Sequence, residues 1–170
     1  QQVGTMGHLV TVTFTGAPSI EPPSEVTVEA TSPAGTPVVL EEPVGTICLS
    51  GDVRFANNAP ARFPLGTTTV TWTATHPNTT GVATATQRVT VVDTTPLTIE
   101  AGDLLRFVDP QPVALPRPAV SDNATASGDI VITNNAPDTF PANSFVTVTF
   151  TATDASGNEA TDTVRVYRQV

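Results

Sequence analysis

One block of sequence occurs twice in the same order, and no single large domain accommodates that repetition easily. NNAP stands at Asn57 to Pro60 and again at Asn134 to Pro137, and FPLGTTTVTWTAT from Phe63 parallels FPANSFVTVTFTAT from Phe140. A closing stretch follows each copy, TQRVTVVD from Thr86 and TDTVRVYRQV from Thr161, and VTVEA from Val26 resembles LTIEA from Leu97. Repetition at a fixed spacing marks a repeated structural unit. The units run over residues 19–93 and 94–170, joined at DTTP, and each is long enough to bury a small core of its own.

Within each unit the pattern has a period of two. Val146, Val148 and Phe150 fall on one face while Thr147, Thr149 and Thr151 fall on the other, and Val70 and Trp72 hold the matching places in the first unit. Val89 and Val91 match Val164 and Val166 in the closing stretches. With 31 Thr, 23 Val and 16 Pro, the composition is that of short strands joined by rigid turns. The expected fold is all-β: two tandem antiparallel sandwiches with an extra N-terminal strand, Trp72 and Phe150 lying in the cores.

The run FPANSFVTVTFTATDASGNEATDTVRV resembles the end of the hyalin repeat, whose pattern is close to F-P-x-G-x-x-x-V-x-[YF]-x-A-x-D-x-[AS]-G-N. Phe140, Pro141, Val148, Phe150, Ala152, Asp154, Gly157 and Asn158 stand at matching places, and VSDNAT from Val120 looks like that family's mid-domain DN turn. In the first unit Phe63, Pro64, Gly66, Val70, Trp72 and Ala74 match, but HPNTTG replaces the Asp-Gly-Asn turn, and the second unit has Asn143 in place of a glycine. The resemblance covers about 150 of the 170 residues. It implies an immunoglobulin-like extracellular module with an adhesive or structural role and no catalytic activity.

Composition narrows the partners. A net charge of −9 with seven Arg and no Lys leaves no basic stripe for phosphates, so nucleic acid is not an expected partner. No run of 18 apolar residues is present, so no membrane-inserted helix is expected. One Cys and no Lys rule out an internal disulfide and an internal Lys isopeptide; Cys48, in GTICLSG, reads as a small core residue on a strand. The chain starts at Gln1, as a processed secreted protein could, and its polar Thr-rich strands and acidic pI fit an extracellular or cell-surface location.

Chemistry-bearing motifs are sparse. His8 and His76 lie in a strand and a turn without a nucleophile motif around them, and G-x-S-x-G, H-E-x-x-H, P-loop and dinucleotide patterns are missing. The expectation is a non-enzyme with no cofactor and no metal. The DASGN stretch, Asp154 to Asn158, reads as a hairpin turn in which Gly157 or Asn158 takes φ > 0 and Asp154 bonds nearby amides. The competing reading joins Asp154 with Asp122, Asn123 or Asp93 as oxygen ligands to calcium, but no dense D-x-D-x-D run supports it. NTT at Asn78 and NAT at Asn123 fit the glycosylation acceptor pattern in predicted loops.

The arm of residues 1–18 holds GHLVTVTFTG, a strand pattern with no repeat around it. Left in solvent it would expose Leu9, Val10, Val12 and Phe14 along an open edge. Burying three such side chains contributes roughly 5–8 kcal/mol before ordering costs. Three partner sheets are open to it: that of its own first repeat, that of an upstream repeat of which it is a stub, and that of a neighbouring subunit. The spacer with Pro18, Pro22 and Pro23 is stiff and favours the neighbour. Such a contact is head-to-tail and open, so the expected function is a noncovalent extracellular filament subunit. The alternative is a monomeric adhesion module of a cell or virion surface, binding a receptor or glycan through its loops.

Overall fold

The computed structural model describes residues 16–48, 51–108 and 112–170; the polymerisation residues Leu9, Val10, Val12 and Phe14, and His8, lie outside them. The described residues contain ten strands and no helix: β1 (Val26–Glu29), β2 (Arg54–Asn57), β3 (Gly66–Thr75), β4 (Ala83–Val92), β5 (Thr98–Glu100), β6 (Leu104–Val108), β7 (Ala119–Ser121), β8 (Val131–Asn134), β9 (Ser144–Thr153) and β10 (Glu159–Gln169). The first repeat forms a four-stranded sheet in the order β1-β4-β3-β2, and the second forms β6-β10-β9-β8 with a separate two-stranded sheet, β5-β7. The chain is all-β, built as tandem immunoglobulin-like sandwiches. By compactness it divides differently from the repeats, one unit drawing on Val38–Ala61 and Thr67–Thr90, the other on Thr27–Pro37, Arg62–Gly66 and Val91–Val170.

The period-two pattern dictates the cores. Along β3 the buried positions are Val70, Trp72 and Ala74, and along β9 they are Val148, Phe150 and Ala152, each at most 3% exposed, with threonines between them on the opposite face. Val89 and Val91 of β4, and Val164 and Val166 of β10, are buried in the same way. Leu105 and Phe107 of β6 and Val146 pack against the second core, where the Phe107 ring meets Phe140 edge-on at 5.6 Å.

The repeated NNAP has a clear physical reason. Asn57 and Asn134 each accept, through Oδ1, the amide two residues on (Ala59 and Ala136, both 3.0 Å), which turns the chain at the end of the strand. The second asparagine extends the ladder by one side-chain rung: Asn58 Oδ1 accepts the Thr71 amide at 2.7 Å, and Asn135 Oδ1 accepts that of Thr149 at 2.8 Å. The Gly66/Asn143 difference is equally explicable. Gly66 has φ 95° and Asn143 has φ 50°, and asparagine is the ordinary residue that tolerates this left-handed region best after glycine.

Two expectations are corrected. The likeness of VTVEA to LTIEA pairs β1 with β5, but the strand that sits beside β10 as β1 sits beside β4 is β6. The counterpart of β5 is Ser19–Glu21, which bridges Val44 and places the Ser19 hydroxyl 2.8 Å from that of Thr46, as Thr98 stands 2.7 Å from Ser121. The true match is SIE with TIE: short local likeness misled because Val-Thr alternation recurs in any such strand. The second correction concerns Cys48, which is exposed and outside any strand. Matching Thr46 with Ser121 puts residue 48 two positions beyond the end of the β7 counterpart, in the segment that has already left the ladder.

Gln87 and Asp162 show one position solving one problem with opposite polarity. Buried Gln87 accepts Trp72 Nε1–H at 3.0 Å and donates through Nε2 to the Ser24 carbonyl at 2.7 Å. Asp162, directly across from Phe150, instead accepts the Ala101 amide at 2.7 Å. Each ties a long strand to the segment entering its neighbour.

Candidate metal centre

Three aspartates occupy the same kind of place, each being the first residue after a strand: Asp93 after β4, Asp122 after β7 and Asp154 after β9. Strands that end together bring these residues together, and one carboxylate oxygen from each lies within 4.8 Å of the others. Asp93 and Asp154 are 8% and 7% exposed, and Asp122 is half-buried.

Asp154 organises the DASGN turn. Its Oδ1 accepts the amides of Ser156 and Asn158, both at 2.8 Å, and its Oδ2 accepts Asn158 Nδ2–H at 2.9 Å. Gly157, at φ 89°, is the residue in the left-handed region. Asp122 Oδ2 accepts the amides of Ala124 and Thr125 at 2.8 and 2.6 Å. Thr125 Oγ1 then accepts the Ala155 amide at 3.3 Å, joining the two turns. Asp93 is held from the same side: Ser156 Oγ donates to its Oδ2 at 2.8 Å and Asn158 Nδ2 to its carbonyl at 3.2 Å.

These bonds use only part of the oxygen. Asp93 Oδ1, Asp122 Oδ1 and the adjacent Asn123 Oδ1 are shielded from solvent and meet no donor. Asn123 is oriented by its other end, where Nδ2 donates to the Ala30 carbonyl at 2.6 Å and to Thr95 Oγ1 at 3.4 Å. That nitrogen is the atom a glycan would occupy, whereas Asn78 stands exposed in the turn after β3. No basic side chain offsets the cluster among the described residues, whose ion pair, Arg88 with Glu25 at 3.9 Å, belongs to the first repeat.

The first repeat builds the corresponding turn without carboxylates. His76, 3% exposed, takes the place of Asp154, and its Nδ1 accepts the Asn78 amide at 3.2 Å as Asp154 accepts that of Ser156. An imidazole thus serves the turn where HPNTTG replaces the acidic motif. The sequence offered Asp93, Asp122, Asn123 and Asp154 only as the competing reading to a plain turn, because no spacing joins them; the structure brings the three aspartates together. The usable signal was an aspartate immediately following each of three strands.

Two carboxylates elsewhere are held in their charged form. The Thr94 amide, at 2.7 Å, and then the hydroxyls of Thr94 and Thr95 lower the pKa of Glu29 below the usual glutamate range. The Ala101 amide, followed by that of Thr163, does the same for Asp162. A depressed folded pKa stabilises above the unfolded value, and that stabilisation disappears as pH falls through the folded one. Asp162→Asn is therefore expected to lower the urea midpoint most at neutral pH. The gap from wild type should begin to shrink as pH falls below the ordinary aspartate value of about 3.9 and should vanish once the native carboxyl, held lower, is protonated as well. A pH-independent gap would show that charge is not what Asp162 contributes.

No helix among the described residues is long and apolar enough to cross a membrane. No family model and no curated protein matches the chain. Among solved structures it is similar to Drosophila N-cadherin EC1-4, at 15% identity over 92% of this chain and 50% of that one, with a TM-score of 0.45. It is also similar to the titin domains z1z2 in complex with telethonin, at 18% identity over 92% and 98% with a TM-score of 0.42. Human protocadherin-24 EC1-2 matches at 10% identity over 90% and 99%, with a TM-score of 0.41. The chain spans half the length of the N-cadherin fragment.

Proposed function

We propose that this chain is a non-catalytic structural subunit of an extracellular filament or surface fibre, of the hyalin-repeat kind. Residues 8–15 of one subunit add a strand to a sandwich of the next. The observation that carries this reading is the incompleteness of the smaller sheet. β5-β7 consists of two strands of three residues opposite a four-stranded sheet, and it has no further ladder partner among the described residues. An edge of unpaired amides and carbonyls is the ordinary acceptor for strand addition. In the donor, alternation puts Val10, Val12 and Phe14 on one face to set the register, while main-chain bonds give continuity.

Deleting residues 1–15 should leave a folded chain that sediments as a monomer and forms no threads in electron micrographs. An excess of a peptide spanning residues 7–16 should shorten filaments of the intact chain by capping the acceptor edge. Polymerisation of the truncated chain at the intact rate overturns the proposal.

A second reading is favoured by one feature. A hollow of about 380 Å³ lined by Gly16, Ala17, Ser19, Thr46, Ile47, Cys48 and Thr79 lies where the arm leaves the first repeat. An arm seated there completes its own domain, and the chain is then a monomeric adhesion module that binds a receptor or glycan through its loops. Sedimentation of the intact chain separates the two: this reading requires a compact monomer at every concentration.

A further inference from the structure

We propose that Asp93, Asp122, Asn123 and Asp154 form a calcium site that fastens the ends of β4, β7 and β9. The proposal is independent of how the arm pairs.

Three carboxylates packed within 4.8 Å repel one another, and burial of Asp93 and Asp154 strengthens that repulsion by keeping water away. Proteins pair buried charge or give it a metal, and here no Arg or Lys bonds to the cluster among the described residues. The second observation concerns hydrogen bonding. Asp93, more than nine-tenths buried, has an Oδ1 that meets neither solvent nor a donor, and Asp122 Oδ1 and Asn123 Oδ1 share that lack of a partner. Buried oxygens are ordinarily satisfied, so partnerless oxygens on Asp93 and Asp122, two members of one carboxylate cluster, point to a missing partner there, with Asn123 Oδ1 on the residue beside Asp122 a further candidate ligand. A cation binds lone pairs from several oxygens at once and also offsets their charge, which a neutral donor does not.

The donor set selects the ion. Every ligand is a carboxylate or amide oxygen, which suits a hard cation and gives zinc or copper neither imidazole nor thiolate. Calcium takes oxygen ligands in flexible geometry, whereas magnesium demands near-ideal octahedral coordination and gives up its waters reluctantly. Three carboxylate oxygens within 4.8 Å of one another can reach one such ion, and side chains already fixed by turns favour the more tolerant calcium. The remaining oxygens of Asp122 and Asp154 are fixed by turn amides, so the site is organised before the ion arrives.

The test uses the 170-residue chain, stripped with a chelator and melted with calcium chloride, magnesium chloride or sodium chloride at matched ionic strength. An extracellular-type affinity of about 0.1–1 mM predicts that about 10 mM calcium raises the melting temperature by at least about 4 °C, with magnesium giving less than half of that. Calorimetric titration should find one calcium per chain. Asp93→Asn keeps an oxygen for Ser156 and removes one charge. Chelated, it should melt at or above wild type because repulsion is relieved, and in calcium it should melt below wild type because the ion is weakly held. Asp122→Asn should show the same crossing and serves if Asp93→Asn does not fold. The proposal is overturned if sodium matches calcium, since that is screening alone. It is also overturned if wild type shows neither shift nor binding heat, or if a folded variant keeps the full calcium response.

Discussion

Trp72→Ala is expected to destabilise the protein by about 3–5 kcal/mol, the cost of emptying a large aromatic site in a packed core. Trp72 is 3% exposed, so its whole side chain is packing volume. Its removal also strands buried Gln87 Oε1, which accepts Trp72 Nε1–H at 3.0 Å, while Gln87 Nε2 still holds the Ser24 carbonyl. A buried acceptor left without its donor costs about 1–3 kcal/mol, so Trp72→Phe should also lose stability although phenylalanine fills the matching place at residue 150. Since Trp72 is the only tryptophan, unfolding should be followed by circular dichroism or calorimetry. With a total stability of about 5–15 kcal/mol for a typical domain, Trp72→Ala should leave the first repeat marginal at best. A loss below about 1 kcal/mol would mean that Trp72 is not the centre of that core.

The second large effect is expected at Asp154. Asp154→Ala removes the acceptor for the Ser156 and Asn158 amides and for Asn158 Nδ2–H, three bonds of 2.8–2.9 Å made by a carboxylate 7% exposed. Bonds to a charged acceptor contribute about 1.5–3 kcal/mol each, but the freed groups lie in a turn that water can partly reach. The expected net loss, measured by urea unfolding in chelator, is about 2–4 kcal/mol, with relief of repulsion among the three aspartates offsetting part of it. Asp154→Asn should lose less, because Asn retains one oxygen for the turn amides. If Asp154→Ala is neutral, the DASGN turn is held by Gly157 and the flanking ladder alone.

Several features were legible in the residues because they depend on short-range geometry. Alternation of Val, Trp or Phe with Thr fixes which face of β3 and β9 is buried, since a strand's side chains point alternately whatever lies beyond it. The repeated NNAP and the Gly66/Asn143 positions mark turns because the backbone there needs a side-chain acceptor or a left-handed φ, and few residues supply either. Strand pairing was not legible to the same degree. VTVEA and LTIEA look alike, yet β1 and β5 stand in different sheets, because Val-Thr alternation specifies a strand without specifying its neighbour.

The amino-acid order by itself determined that this protein is all-β, repeated, lysine-free and acidic, and it placed Trp72, Phe150 and the flanking valines in the cores. Only tertiary structure decided that β6 rather than β5 lies beside β10, that Cys48 faces outward, and that Asp93, Asp122 and Asp154 converge. The reason is range. Burial pattern and turn chemistry are written in residues a few positions apart, whereas the aspartates are separated by about 30 residues each and meet only because three strands end at the same place.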